Sequence, residues 1–148
     1  MNDIYVTAIN DTNEYLVKSI KLKPGQEKFI ETIEECLEEA KLDSQWRPVM
    51  IQSKENIVGF AMYGSFGPNK ETWIDRIIID RDFQGKGLGK KTMLKLIDII
   101  TKEYDVKEIY LSIIEGNEIA YNLYTTIGFV YTNEKDPNGE RIFKYTIK

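Results

Sequence analysis

The 148-residue chain predicts an α/β fold: a mixed, mostly antiparallel central sheet of about seven strands with helices on both faces. Three observations carry this. Strand-like runs broken by turn signals fill the first half, and a β-α-β crossover occupies the middle. Apolar residues then recur at helical spacing in the segments that remain.

Taken in order, a first strand is expected near Ile4 to Ile9. Asp11, Thr12 or Asn13 then caps a short helix through Ile20. Pro24-Gly25 breaks the chain. A second helix is expected from Gln26 to Ala40, because Phe29, Ile33, Cys36/Leu37 and Ala40 repeat at helical spacing. Val49 to Gln52 and Ile57 to Phe66 read as a hairpin around Lys54-Glu55-Asn56, and Gly67-Pro68-Asn69-Lys70 turns into a strand from Trp73 to Asp80. A helix-like run, Met93 to Ile100, leads to a strand from Lys107 to Ile114. Asn117 caps the next helix, with Glu118 in its first turn and Gly128 stopping it. The last pair, Phe129 to Thr132 and Arg141 to Ile147, flanks the turn signal Asp136-Pro137-Asn138-Gly139.

This length suits one domain spanning residues 1–148 with a core that needs no staples. The single cysteine, Cys36, excludes an internal disulfide and falls on the apolar side of its helix, as a small buried hydrophobe would. The absence of histidine excludes most zinc constellations, and no metal site is expected. No signal peptide or membrane-length apolar run stands out, so a cytoplasmic protein without a membrane partner is expected. A net charge of −4 disfavours nucleic acid and mildly favours a cationic partner.

The most informative stretch is Gln84-Gly85-Lys86-Gly87-Leu88-Gly89, between a strand-like and a helix-like run. Its glycines let the backbone approach a ligand closely, with several N–H groups aimed one way. Lys86, Lys90 and Lys91 crowd the same turn. Cations in a helix's first turn oppose its dipole, and a bound polyanion removes that conflict. The stretch reads as a phosphate-binding turn; the alternative is a glycine-rich connection and nothing more. Lys90 stands where a P-loop and a dinucleotide fingerprint both need their last glycine.

The remaining pattern, Q-x-x-G-x-G on Gln84, Gly87 and Gly89, resembles the acetyl-CoA pyrophosphate loop of the GCN5-related N-acetyltransferase (GNAT) superfamily. Asn117 to Phe129 is similar to that family's second half-site, N-x-x-A-x-x-L-Y-x-x-x-G-F, with Ala120, Leu123, Tyr124 and Ile127 on one face. The order of elements also resembles the GNAT fold from end to end.

The resemblance implies an acetyl-CoA-dependent N-acetyltransferase. It places the cofactor arm along the main chain of Ile77, Ile78 and Ile79, with the Ile77 N–H polarising the thioester carbonyl. Gln84, Gly85, Lys86, Gly87, Leu88 and Gly89, with Lys90 close by, would hold the pyrophosphate. Asn117 would orient the arm beside Ala120. Tyr124 would protonate the departing sulfur, a role open to a phenol that is neutral at pH 7; Tyr121 lies off this face. Asp75, two residues before Ile77 and so expected on the same side of the strand, is the candidate to orient or deprotonate the amine. Its alternative is an ion pair with Arg76, itself read as structural and pointing the other way.

Glu27, Glu31, Glu34, Glu35, Glu38 and Glu39 load the second helix with acid. Such a face is either merely solvated or a wall that gathers a polycation, with Glu31 and Glu35 as substrate-binding candidates. Val58 to Gly64, Asp75-Arg76, Phe83 to Lys91, Ile109 to Ile113 and Glu31 to Ala40 resemble the bacterial spermine/spermidine acetyltransferases, which implies a polyamine acceptor. An aminoglycoside, a protein N-terminus or lysine, and a non-catalytic acyl-CoA sensor stay open. The family often pairs through a sheet edge or the last strands, so a homodimer is compatible.

Overall fold

The protein is described by a computed structural model over residues 4–22, 24 and 32–147. Its strands are β1 (Tyr5–Ala8), β2 (Trp46–Ser53), β3 (Asn56–Phe66), β4 (Glu71–Ile79), β5 (Glu108–Ile113), β6 (Val130–Lys135) and β7 (Arg141–Thr146). They form one seven-stranded sheet in the order β1-β2-β3-β4-β5-β7-β6. Only β4 and β5 run parallel, joined by helix α2 (Leu88–Tyr104); every other described pair is antiparallel.

Val58 to Gly64 of β3 is an unbroken buried run, which a strand shows only when both faces of its sheet are covered. One face is covered by α2 and by α3 (Glu118–Ile127). Leu88, Thr92, Met93, Leu96, Ile97 and Ile100 of α2 are buried there with Ile74, Ile109, Leu111, Ile113 and Phe143 of the sheet. The opposite face carries α1 (Ile33–Leu42) and a 3₁₀ segment, Glu14–Ser19, which bury Cys36 and Val17 against Met50, Phe60, Met62 and Ile78. Cys36 is fully buried, in keeping with its reading as a hydrophobe. Among the described residues no helix is long and apolar enough to cross a membrane.

Three expectations need correction. The second helix does not run continuously from Gln26. Thr32 is extended and caps α1: its hydroxyl accepts from the Glu35 N–H at 3.1 Å, and Glu35 Oε1 accepts from the Thr32 N–H at 3.0 Å. This reciprocal pair satisfies two donors at the helix start and sets it there. The expected turns over 26–31, with Glu31, lie outside the described residues. The first short helix is 3₁₀, and no Asp11, Thr12 or Asn13 side chain caps it. Asn10 Oδ1 instead accepts from the N–H groups of Thr12 and Asn13, an Asx turn that uses the local donors. The third correction concerns Asp75. Met62 pairs with Arg76 but Tyr63 pairs with Ile74, so β4 carries one extra residue, Asp75, in a β-bulge. Period-two alternation does not hold across a bulge, so spacing from Ile77 does not fix the side of Asp75.

Candidate active site

β4 and β5 meet in register at Trp73↔Tyr110, and among the described residues no further partner joins them. Beyond that pair the strands part, as a sheet can when a bulge adds twist to one strand. A cleft of about 370 Å³ opens there, lined by Ile77, Ile78 and Ile79, the loop residues Phe83 to Gly85 and Gly87 to Lys90, and Asn117, Ala120, Leu123 and Tyr124 of the α3 end. The Ile77 and Ile79 side chains pack toward the α2/α3 core while Ile78 is buried on the other face. Ile77 and Ile79 are only partly buried, so β4 gives the cleft an apolar wall as well as main chain.

The loop is fixed at its start by Asp80, a buried carboxylate that accepts from the N–H groups of Lys21 (3.0 Å) and Asp82 (2.9 Å). Gln84 Nε2 donates to the Ile79 carbonyl at 2.8 Å, so this side chain ties the loop back to β4. Gly85 and Gly87 have φ of 79° and 78°, where a side chain is strained, and a Cβ on either would meet nothing within 4 Å. Gly89 has a different reason: a Cβ there would sit 3.3 Å from Leu123 Cδ2, so it sets the approach of α2 to α3. Among the described residues, the main-chain N–H groups of Gly85 through Lys90 find no protein acceptor. Those of Leu88, Gly89 and Lys90 are the orphan donors of a helix start. Such an array fits a pyrophosphate. Lys90 lines the cleft, whereas Lys86 does not: its ammonium lies 5.6 Å from the centre of the Phe83 ring.

At the other end, Asn117 caps α3, its Oδ1 accepting from the Ala120 N–H at 3.3 Å, and Gly128 ends the helix at φ 130°. Tyr124 stands two turns in. Burial pushes its phenol up to about 12, against the opposing pull of the Arg76 charge. It therefore stays protonated across the neutral and moderately alkaline range. Tyr121 is turned toward Phe143 and Arg141, away from the cleft, as its position predicts.

Tyr124, Asn117, Ala120 and Ile77 also line an adjoining polar recess of about 40 Å³, with Asp75, Arg76, Ser112 and Glu140. Asp75 Oδ1 lies 3.6 Å from Arg76 Nη1, and both side chains are mostly buried. Sequence reasoning did not place Arg76 beside this recess: its assignment to the far side assumed unbroken alternation. It also missed Glu140, which follows a turn read only as a hairpin signal. Glu35 lines neither cavity; its carboxylate is held by Thr32 and sits below the usual range, chiefly because of those hydrogen bonds, with a small contribution from Arg76.

Comparison with known proteins shows what the chain is similar to as a whole. The chain is 39% identical over 145 residues to the spermine/spermidine N(1)-acetyltransferase of Bacillus subtilis (strain 168), covering 94% of this chain and 95% of that protein. Its fold matches that of an aminoglycoside acetyltransferase, AAC(6')-Ib, solved with coenzyme A (TM-score 0.78, 16% identity, 97% of this chain and 95% of that one). It also matches the spermidine N-acetyltransferase of Vibrio cholerae solved with CoA and spermine (TM-score 0.71, 16% identity, 95% and 92%). At such identities these two show the fold alone. The model of the Acetyltransferase (GNAT) family matches residues 13–129, and the chain belongs to that family.

Proposed function

We propose that the chain transfers an acetyl group from acetyl-CoA to a primary amine of spermine or spermidine. The observation that carries the chemistry is the position of Tyr124, a phenol kept neutral by burial where the apolar cleft meets the polar recess holding Asp75. The amine class rests on the Bacillus relative, whose name states that it acts on spermine and spermidine.

Acetyl-CoA, when bound, supplies the activated acetyl thioester. The N–H groups of Gly85 to Lys90, with the Lys90 ammonium, are the donors for its pyrophosphate. Gln84 shapes this loop through Ile79, and Lys86 adds charge from outside the cleft. The main chain of Ile77 to Ile79 lines the arm, and the Ile77 N–H is the donor at the carbonyl oxygen. Asn117 spends its Oδ1 on the helix cap, which leaves its NH₂ to orient the arm past Ala120. Tyr124 gives its proton to the leaving sulfur. Asp75 orients the attacking amine and takes its proton directly or through water. Glu35 belongs to the acidic border that attracts the cation, at long range since its carboxylate caps α1, and Glu31, outside the described residues, stays a sequence candidate for the same role.

Thiol release from acetyl-CoA, measured against spermine, spermidine, an aminoglycoside, a lysine peptide and a peptide with a free N-terminus, tests this reading. Spermine or spermidine should lead by at least about tenfold in kcat/KM. A lead for any other acceptor would sink the polyamine assignment. Tight coenzyme A binding with no turnover on any acceptor would sink catalysis itself.

A further inference from the structure

We infer that Glu140 is the residue that selects a polycationic acceptor, by holding the first charged nitrogen behind the reacting amine. The inference rests on the proposed polyamine reading and adds a residue to it. Transfer to a polyamine needs one neutral nitrogen, while the others remain ammonium ions at neutral pH. Each ammonium drawn into the protein then needs an anion in contact.

The recess beside Tyr124 has two carboxylates, Asp75 and Glu140. Asp75 already faces the Arg76 guanidinium at 3.6 Å. Glu140 has no cation within ion-pair distance among the described residues; its one described side-chain contact is the neutral Ser112 hydroxyl, which donates to Oε1 at 3.1 Å. It is half-buried, so its charge is neither compensated by the protein nor fully given to water.

Its position is also fixed. The Glu140 N–H donates to Asp136 Oδ1 at 2.9 Å and its carbonyl accepts from the Asp136 N–H at 2.8 Å, so the turn before β7 clamps this residue on both sides. Ser112 lies between Leu111 and Ile113, which are buried under α2 and α3, so Ser112 projects from the opposite face of the sheet. That is the α1 face, where the acidic helix lies. Glu140 thus sits where the gap between β4 and β5 opens toward the side from which a cation would arrive.

The test is Glu140→Gln, assayed with spermidine and with butylamine, which has a reacting nitrogen but no second charge. KM for spermidine should rise about tenfold or more, the size expected for a lost charge-assisted contact. kcat should stay within about twofold, and KM for butylamine and for acetyl-CoA should not move. Glu140→Asp should recover part of the loss. Should Glu140→Gln fail to fold, Ser112→Ala serves instead, with a selective rise of about two- to threefold in the spermidine KM. An unchanged spermidine KM, or an equal loss for both amines, overturns the inference while leaving polyamine acetylation standing. A wild-type enzyme that acetylates butylamine but not spermidine overturns both.

Discussion

The two ends of the cleft are built in opposite ways. The loop end is main chain: N–H groups of Gly85 to Lys90 without protein acceptors, at two positions where only glycine is unstrained. The recess end is side chain: Tyr124 from α3, Asp75 and Arg76 from a bulge in β4, Ser112 from β5 and Glu140 from the turn before β7. A backbone site needs one local conformation and is written in a few adjacent residues. A side-chain site needs several elements to meet, and depends on pairing that no short stretch contains. The first tolerates many side chains but few changes of backbone, and the second the reverse.

Four results would break or sharpen this contrast. Gly87→Glu places a side chain at φ 78° and a carboxylate among the donors. Coenzyme A affinity by calorimetry should fall about 10³-fold, and retained affinity would show that the loop does not hold the cofactor. Tyr124→Phe keeps the ring and removes the proton; kcat should drop about 10²-fold with coenzyme A affinity within about twofold. Turnover at the wild-type level would remove Tyr124 from the chemistry.

The third concerns alkaline pH. Burial raises the phenols of Tyr124 and Tyr104 to about 12, and raises Tyr63 still further, with the Glu103 carboxylate adding to it. A tyrosine in the unfolded chain ionises near ~10, so the unfolded state loses protons first as pH rises. Stability from these groups is complete below pH ~10 and is lost above it, by about 12 for Tyr124 and Tyr104 and at still higher pH for Tyr63. Urea midpoints should be level to pH ~9.5 and fall steeply above it. Tyr124→Phe should fall less steeply, because one of the three groups is gone; an unaltered slope would mean that the surroundings of the partly buried Tyr124 do not raise its phenol. The smallest effect is Thr32→Ala, which removes the α1 cap and should cost about 1 kcal/mol in chemical denaturation. Coenzyme A affinity should not change, since α1 lies across the sheet from the loop. A weakened affinity would show that the two regions are coupled.

The same contrast explains how much the sequence made legible. The approximate strand count, the β-α-β crossover in the middle, the α3 cap at Asn117 and the stop at Gly128 were legible in the sequence, and all are found. Gly85, Gly87 and Gly89 mark the loop because each answers a backbone or packing demand there. The start of α1 was also written locally, in the Thr32-x-x-Glu35 capping box, but the apolar periodicity upstream masked it. Asp75 and Arg76 were different. The bulge arises from the register of β4 against β3, and nothing in Ile74-Asp75-Arg76-Ile77 alone announces an extra residue. Glu140 joins the site only through Ser112, 28 positions away along the chain.

The Trp73–Tyr110 pair has a practical corollary. The indole sits 5.4 Å from the phenol ring at the hinge where two strands begin to diverge, and its Nε1 donates to the exposed Glu71. The only other tryptophan, Trp46, packs edge-on against Phe66 on β2 and β3, one strand away through Gly64. Anything that wedges β4 from β5 changes the surroundings of Trp73 directly and reaches Trp46 only across β3. The molecule carries its own optical gauge of opening, and Trp46→Phe would leave that signal without background.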